Sequence, residues 1–458
     1  MSRSPARVLA ALNAVRPPDQ SSPVIGKAVV VGGSIAGMLA ARVLSDHAEC
    51  VVVVDRDDLH ATGGRPGVPQ GTQLHALLPG GFLLLEQLFP GFREQALARG
   101  AVEAPPAARR TYLDGRLKVV VPDDADSLAG SRPLLESLIR QQVLRLPNVK
   151  TITARATGLV FDGDVTSGVR CDVGGSPGVE HADLVVDAMG RSSRLSDWLA
   201  EAGWERPALR RMTVHLNYAT ALFRRSEANP EHAVVLALHS PTRSVDVAGA
   251  AFFAIEDGRW MAMMAGYGEN RPGGTADDFV RRLREQFPPE FAMVADSELL
   301  GDVQTYRHAD SRRRDFHALT RLPAALVSVG DAVASFNPVY GQGITAAALH
   351  AACLASYLRS GPDLGLPARH FFALQKVVVD AAWSISTSAD LALPHVAGPY
   401  PRGYRLSSWV SRQIIAATVT DVATARRFND VVSMRKHPSS LATPTVILNA
   451  LLANRRAR

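Results

Sequence analysis

One short stretch of the chain has the residue types and spacing that hold phosphate and sugar. Gly32-Gly33-Ser34-Ile35-Ala36-Gly37 follows the apolar run Ala28–Val31 and leads into a helical pattern from Met38 to Leu44. A second apolar run, Cys50–Val54, ends at Asp55, 18 residues beyond Gly37, with Arg56 beside it. Strand, glycine turn, helix, strand and acid within about thirty residues is the length of one βαβ unit. Gly32 permits a sharp turn, Gly33 keeps the loop clear of side chains, and Gly37 lets the helix lie close on the sheet. Ser34 and Ala36 stand at the helix start, whose unpaired N–H groups and positive dipole end suit a pyrophosphate. Asp55 is placed as the acid that takes the two hydroxyls of an adenosine ribose. Ser34 departs from the G-x-G-x-x-G pattern, which has glycine there. The chemistry is dinucleotide binding, with NAD and FAD equally open; the rival reading is a plain buried βαβ turn.

Three further elements must position whatever this loop holds. Far downstream, the apolar run Ala324–Val329 enters Gly330-Asp331-Ala332, then Pro338, Gly341 and Gly343, and a helical stretch from Ile344 to Leu358. Asp331 is placed to accept from hydroxyls, and the helix start faces what the loop encloses; a capped helix start with a turn proline is the bland alternative. Between the two stretches, Ala182–Val186 ends in Asp187-Ala188-Met189-Gly190-Arg191-Ser192. An acid and a glycine directly after a buried strand suit a loop lining a cofactor, against a simple strand exit. Ser131-Arg132-Pro133 opens a helix reaching about Leu146, from which Arg132 reaches a phosphate or ribose, or solvent.

Composition narrows the class. The chain has 458 residues, 47% hydrophobic and 21% charged, enough to bury a large core and too apolar for overall disorder. Cys50, Cys171 and Cys353 are widely separated, so zinc and redox pairs are not expected and a reduced, cytoplasmic protein is. No metal site and no Ser-His-Asp constellation is visible, and no catalytic side chain is assigned. The net charge of +6 rests on arginine, with Arg312-Arg313-Arg314 the densest cluster; without groove-reading or aromatic elements, no nucleic-acid partner is expected. No apolar run reaches the ~18 residues of a membrane span. Near the start, Arg3 and Arg7 precede Val8–Leu12, but Asn13, Arg16 and Pro17-Pro18 argue against a cleaved signal, which leaves a flexible or helical extension over residues 1–24.

The motifs GGSIAG, DAMGRSS and GDAVASFNPVYGQG, in this order over residues 25–360, resemble the FAD-dependent monooxygenase superfamily of aromatic hydroxylases and squalene epoxidase. The resemblance implies an α/β fold: a Rossmann-like FAD-binding domain (25–205 and 300–360), an inserted β-sheet substrate domain (206–299) and a C-terminal helical region (361–458). It implies that the first loop, Asp55, Arg56 and Arg132 hold the ADP half of FAD, with Asp187 and Gly190 in the second loop. Asp331 then binds the ribityl chain, and Pro338, Gly341, Gly343 and Ile344 face the flavin.

A closer likeness to the bacterial flavin epoxidases of polyether antibiotic pathways lies in several segments. These are Arg65-Pro66-Gly67-Val68-Pro69-Gln70-Gly71, His75-Ala76-Leu77-Leu78, Gly80-Gly81, Ile255-Glu256-Asp257-Gly258-Arg259-Trp260 and Phe336-Asn337-Pro338-Val339-Tyr340-Gly341; a weaker one includes Thr387-Ser388-Ala389-Asp390. Thr72-Gln73 replaces the Arg-His common in such relatives, and Asp187 and Gly190 are spaced rather than contiguous as in the aromatic hydroxylases. The implied reaction passes one oxygen atom of O2 from a flavin C4a-hydroperoxide to a hydrophobic polyketide or terpenoid, by epoxidation or hydroxylation. NAD(P)H is the ultimate reductant, directly or through a separate flavin reductase, since only one dinucleotide loop is present.

Phe252, Phe253, Trp260, Met261, Met263 and Met264 are candidates to wall an apolar pocket, with Phe252, Trp260 and Met263 foremost, in strands that alternate in character. A flavin-dependent C=C reductase of the geranylgeranyl reductase type and a non-catalytic flavin-binding relative are the alternatives. Halogenases carry W-x-W-x-I-P, whereas no two of Trp198, Trp204, Trp260, Trp383 and Trp409 stand two residues apart.

Overall fold

Valine-rich runs without polar positions must be buried on both faces, and here they build a parallel sheet. The computed structural model describes residues 4–457 apart from 62–64, 66, 68, 227–231, 241–248, 269–271 and 273. Pro66 and Val68 therefore lie outside the described residues. Across the sheet the strands run Leu326–Ser328, Leu184–Asp187, Ile25–Val31, Ala48–Asp55 and Val149–Thr153, all parallel. Val29, Val30, Val51 and Val53 are wholly buried in it. The helix Ile35–Leu44 packs on the sheet and on the helix Gly343–Leu358. Ala346, Ala347, Ala348, Ala351 and Ala352 keep the latter slim enough to be buried nearly all round. The helix Arg132–Leu144 starts at Ser131, whose hydroxyl accepts from the Leu134 N–H at 3.2 Å, with proline in its first turn.

A second sheet of eight strands lies beyond it. In order it contains Ala334–Ser335, Gln304–Arg314, Leu209–Arg224, Arg259–Tyr267, Gly249–Ile255, Val234–Leu238, Arg109–Leu113 and Arg116–Leu117. Neighbours are antiparallel except Val234–Leu238 with Arg109–Leu113. The expected substrate segment 206–299 supplies four of these strands; the others come from before and after it and form the two edges. Period-2 alternation gives the sheet two apolar faces. Phe252, Ala254, Trp260 and Ala262 pack against Phe279, Leu283, Phe291 and Val294 of the helices Ala276–Glu285 and Pro289–Ala295. Ala251, Phe253, Met261 and Met263 take the opposite face.

At the beginning of the chain the helical form of the extension is seen, and it is docked rather than free. Pro5–Leu12 is a helix, and Leu9 and Leu12 are buried against the main core. Toward the other end stand the helices Arg369–Asp390, Tyr404–Ala417, Val422–Val432 and Pro444–Arg456. Among the described residues, no helix is long and apolar enough to cross a membrane.

Candidate functional site

A cavity of about 2040 Å³ runs from the glycine loop, beneath the eight-stranded sheet, to the C-terminal helices. Its near end is shaped by backbone. Gly32 has φ +106°, and a Cβ there would meet the Ala188 carbonyl oxygen at 2.4 Å. A Cβ on Gly37 would stand 1.7 Å from the Gly32 carbonyl oxygen, so the helix can lie this close only with glycine. Gly32, Ser34 and Ala36 line the cavity, whereas Gly33 and Gly37 act from behind. Arg132 donates to Ser34 Oγ at 3.3 Å and reaches the cavity from its helix start.

Asp55 lines the cavity with Arg56, but its carboxylate is already engaged. Oδ2 accepts from the Gly33 N–H at 2.6 Å and faces Arg65 Nη2 at 2.8 Å; Oδ1 accepts from the Asp57 N–H at 2.8 Å. Arg65 also donates to the Gly33 carbonyl at 2.9 Å and to Glu136 at 2.6 Å. This largely buried arginine welds loop, acid and helix together. Its sequence segment was conspicuous, yet nothing local assigns it that role.

Asp187 is placed differently from expectation. It is buried, accepting from the Met189 N–H at 3.0 Å, Ser193 Oγ at 2.7 Å and Ser328 Oγ at 2.9 Å, and it does not line the cavity. Burial pushes its carboxyl up, against the pull of these donors. It braces the loop, and Gly190, at φ +72°, is the member that faces the cavity. Arg191 follows in the cavity wall, paired with Asp310 and donating to Ser335 Oγ at 3.2 Å.

Asp331, unlike Asp187, faces the cavity. It lines the cavity with no hydrogen-bond partner among the described residues. Burial raises its carboxyl, while Arg132 and Arg191 oppose the rise. The preceding Gly330 N–H donates to His350 Nδ1 at 2.9 Å, and burial pushes that imidazole down to about 3, which keeps it neutral. Pro338, Gly341, Gly343 and Ile344 line the same wall. Next to them Gln342 is almost fully buried, with both amide atoms lacking a partner, and it too lines the cavity. Buried amides left unpaired are costly, so this one can both donate to and accept from a polar group in the cavity.

The loop before that helix hangs on an acid that the sequence shows only as part of the weaker likeness, with no role attached. Asn337 donates to Asp390 Oδ1 at 2.8 Å, and Tyr340 OH donates to the same oxygen at 3.0 Å. Asp390 is wholly buried, its Oδ2 has no partner, and burial pushes the carboxyl up to about 6 against those two donors. Elsewhere Gln73, at the Thr72-Gln73 departure, accepts from Thr220 Oγ1 at 2.7 Å and ties its loop to the large sheet.

Of the three foremost apolar candidates, Met263 lines the cavity. Phe252 and Trp260 do not: they meet edge to face at 5.1 Å in the core behind the sheet. The candidates are divided between the two faces of the sheet, and Phe253, with Leu236 and Ala251, supplies the rest of the apolar wall.

With this geometry established, comparison with known proteins places the chain. No family model matches it. Protein Rv3254 of Mycobacterium tuberculosis is 33% identical over 434 residues, covering 90% of this chain and 91% of that one. Among solved structures, p-nitrophenol 4-monooxygenase PnpA of Pseudomonas putida is 18% identical, with a TM-score of 0.63 over 91% of this chain and 99% of its own. PqsL of Pseudomonas aeruginosa, in complex with 2-aminobenzoylacetate, is 19% identical, with a TM-score of 0.62 over 80% and 97%. The flavin-dependent brominase Bmp2 is 15% identical, with a TM-score of 0.64 over 94% and 99%. These likenesses establish a shared α/β fold.

Proposed function

The chain belongs to the family of protein Rv3254 of Mycobacterium tuberculosis, and from that premise and the cavity we propose that it is an FAD-dependent monooxygenase acting on a hydrophobic natural product. The observation that carries this reading is the unpartnered pair of polar side chains, Asp331 and Gln342, in one cavity with a dinucleotide-type glycine loop. A donor-hungry carboxylate between that loop and a helix start suits a cofactor with a hydroxylated linker and a polar ring edge. FAD meets both demands.

In this reading Gly32, Ser34, Ala36, Asp55, Arg56 and Arg132 take the ADP half, with Gly33 and Gly37 holding the loop's shape. Asp331 accepts from the ribityl hydroxyls; Gly190, Pro338, Gly341, Gly343 and Ile344 surround the ring, and Asp187 braces their neighbour. Bound and reduced, FAD would supply oxygen activation and the transfer of one atom to substrate. The protein's part is placement and exclusion of water. Phe253, Met263, Leu236 and Ala251 keep that end apolar, and Asp390 fixes the Asn337–Tyr340 turn and holds its proton more tightly than an ordinary carboxyl.

The finer reading is epoxidation or hydroxylation of a polyketide or terpenoid alkene, supported by the segments shared with polyether-pathway epoxidases. One dinucleotide loop favours electrons delivered by a separate flavin reductase, with NAD(P)H as their source. The tryptophan spacing argues against halogenation, although halogenases share the fold.

The test is anaerobic reduction of the purified, FAD-loaded protein followed by mixing with oxygenated buffer. A transient absorbing at shorter wavelength, before the oxidised spectrum returns, is expected. Reoxidation in one direct phase, with or without added alkenes, would count against oxygenation and favour a C=C reductase.

A further inference from the structure

At the far end of the cavity from the glycine loop stands a positive charge that the site described above leaves unused. Lys118 follows the edge strand Arg116–Leu117 of the large sheet. Its backbone is fixed: the Lys118 N–H donates to the Thr111 carbonyl at 2.8 Å, and the next N–H donates to the Val419 carbonyl at 3.0 Å. The side chain enters the cavity and sets its ammonium 5.1 Å from the centre of the Phe428 ring. Thr111, Leu113, Val431, Val432 and Leu441 complete this end. Among the described residues the ammonium has neither ion pair nor hydrogen bond.

The charged neighbours are accounted for. Asp124, the acid that Lys118 feels most, accepts from the Ala125 N–H at 2.8 Å and Asn429 at 2.9 Å, with Arg109 and Arg435 each at 3.6 Å. Asp114, also in the wall, accepts from the Ser240 N–H at 2.8 Å and faces His239 at 3.8 Å. Arg412 borders the same end but is exposed. Burial accordingly pulls the Lys118 ammonium down to about 8. A cation held in a largely apolar wall, its acidic neighbour already paired with other groups, is costly to the free protein, and a ligand anion would offset that cost.

The span between this charge and the other end is set by the sheet. From the strand Gln304–Arg314, beside the Asn337 turn, to Arg109–Leu113 there are five strand-to-strand steps, about 24 Å at ordinary sheet spacing. Along that path Met263, Ala251, Phe253, Leu236 and Leu238 present an apolar surface to the cavity.

We propose that Lys118 anchors the carboxylate of a long, otherwise apolar substrate, which lies along the cavity face of the sheet with its reacting end beside the Asn337 turn. This rests on the monooxygenase reading and specifies its substrate class. A carboxylate fits better than a phosphate, because one ammonium neutralises one negative charge and a dianion would leave the second unpaired among apolar residues.

The test is equilibrium dialysis of the full FAD-loaded chain against labelled oleate, methyl oleate and oleyl phosphate. Oleate should bind at least about tenfold more tightly than its ester. Lys118→Met should erase that preference while leaving ester affinity and FAD content unchanged and without lowering the melting temperature, and Lys118→Arg should restore it. Equal binding of acid and ester, no binding of either, a parallel loss of both in Lys118→Met, or a preference for the phosphate would each overturn the proposal. The titration needs no turnover. Oleate held through Lys118 by a chain that shows no oxygen transient would therefore sink the monooxygenase reading and leave the carboxylate site standing.

Discussion

Replacing Asp390 by asparagine separates two contributions of that side chain. The carboxyl is wholly buried, accepts from Asn337 and Tyr340 through one oxygen, and has nothing to bond with the other. Burial lifts it from an ordinary value of 3.8 to about 6. Because the folded state holds the proton more tightly than the unfolded one, the contribution to stability is fully present below pH 3.8 and is lost as pH rises through 6. The loss amounts to about 3 kcal/mol once both states are ionised, and roughly half of it develops between pH 5 and pH 8. Asparagine offers the same accepting oxygen to Asn337 and Tyr340 without ever ionising. In urea unfolding at pH 5 and pH 8, Asp390→Asn should therefore gain about 1.5 kcal/mol on the parent between the two conditions. Asp390→Ala removes the acceptor as well, and should retain less FAD than either. Parallel stability profiles for parent and Asp390→Asn would refute the buried-acid argument, whatever the variants did to activity.

Other perturbations test the site piece by piece. Gly37→Ala puts a methyl group 1.7 Å from the Gly32 carbonyl oxygen and should abolish FAD retention, read as the flavin-to-protein absorbance ratio; full occupancy would contradict the loop geometry. Phe252→Ala should cost about 3–5 kcal/mol, because it empties a closed core. Met263→Ala should cost clearly less, since it only widens an open cavity. Equal losses in urea unfolding would mean that the two faces of the sheet have been assigned wrongly.

What the sequence disclosed followed from how local each feature is. The glycine loop, the parallel strands and the placement of Asp331 depend on turn chemistry and runs of valine within one βαβ unit, and all were legible. Asp187 was misplaced because its direction is decided by Ser328, 141 residues away, whose hydroxyl turns the carboxylate inward. Phe252 and Trp260 failed for a different reason. Both faces of their strands are apolar, so alternation defines two sets without saying which one meets the cavity. Asp390 and Lys118 gain their meaning only when the C-terminal helices close over the sheet. The helix Pro5–Leu12 shows Leu9 and Leu12 at helical spacing, yet only docking on the main core turns that pattern into buried structure.

The most direct test of the central claim is the cofactor content of the purified chain, with apoprotein titrated by FAD. The account predicts a yellow protein binding close to one FAD per chain, with binding impaired by Asp331→Ala while melting temperature changes little. A colourless protein that takes up no FAD in the titration would contradict it outright.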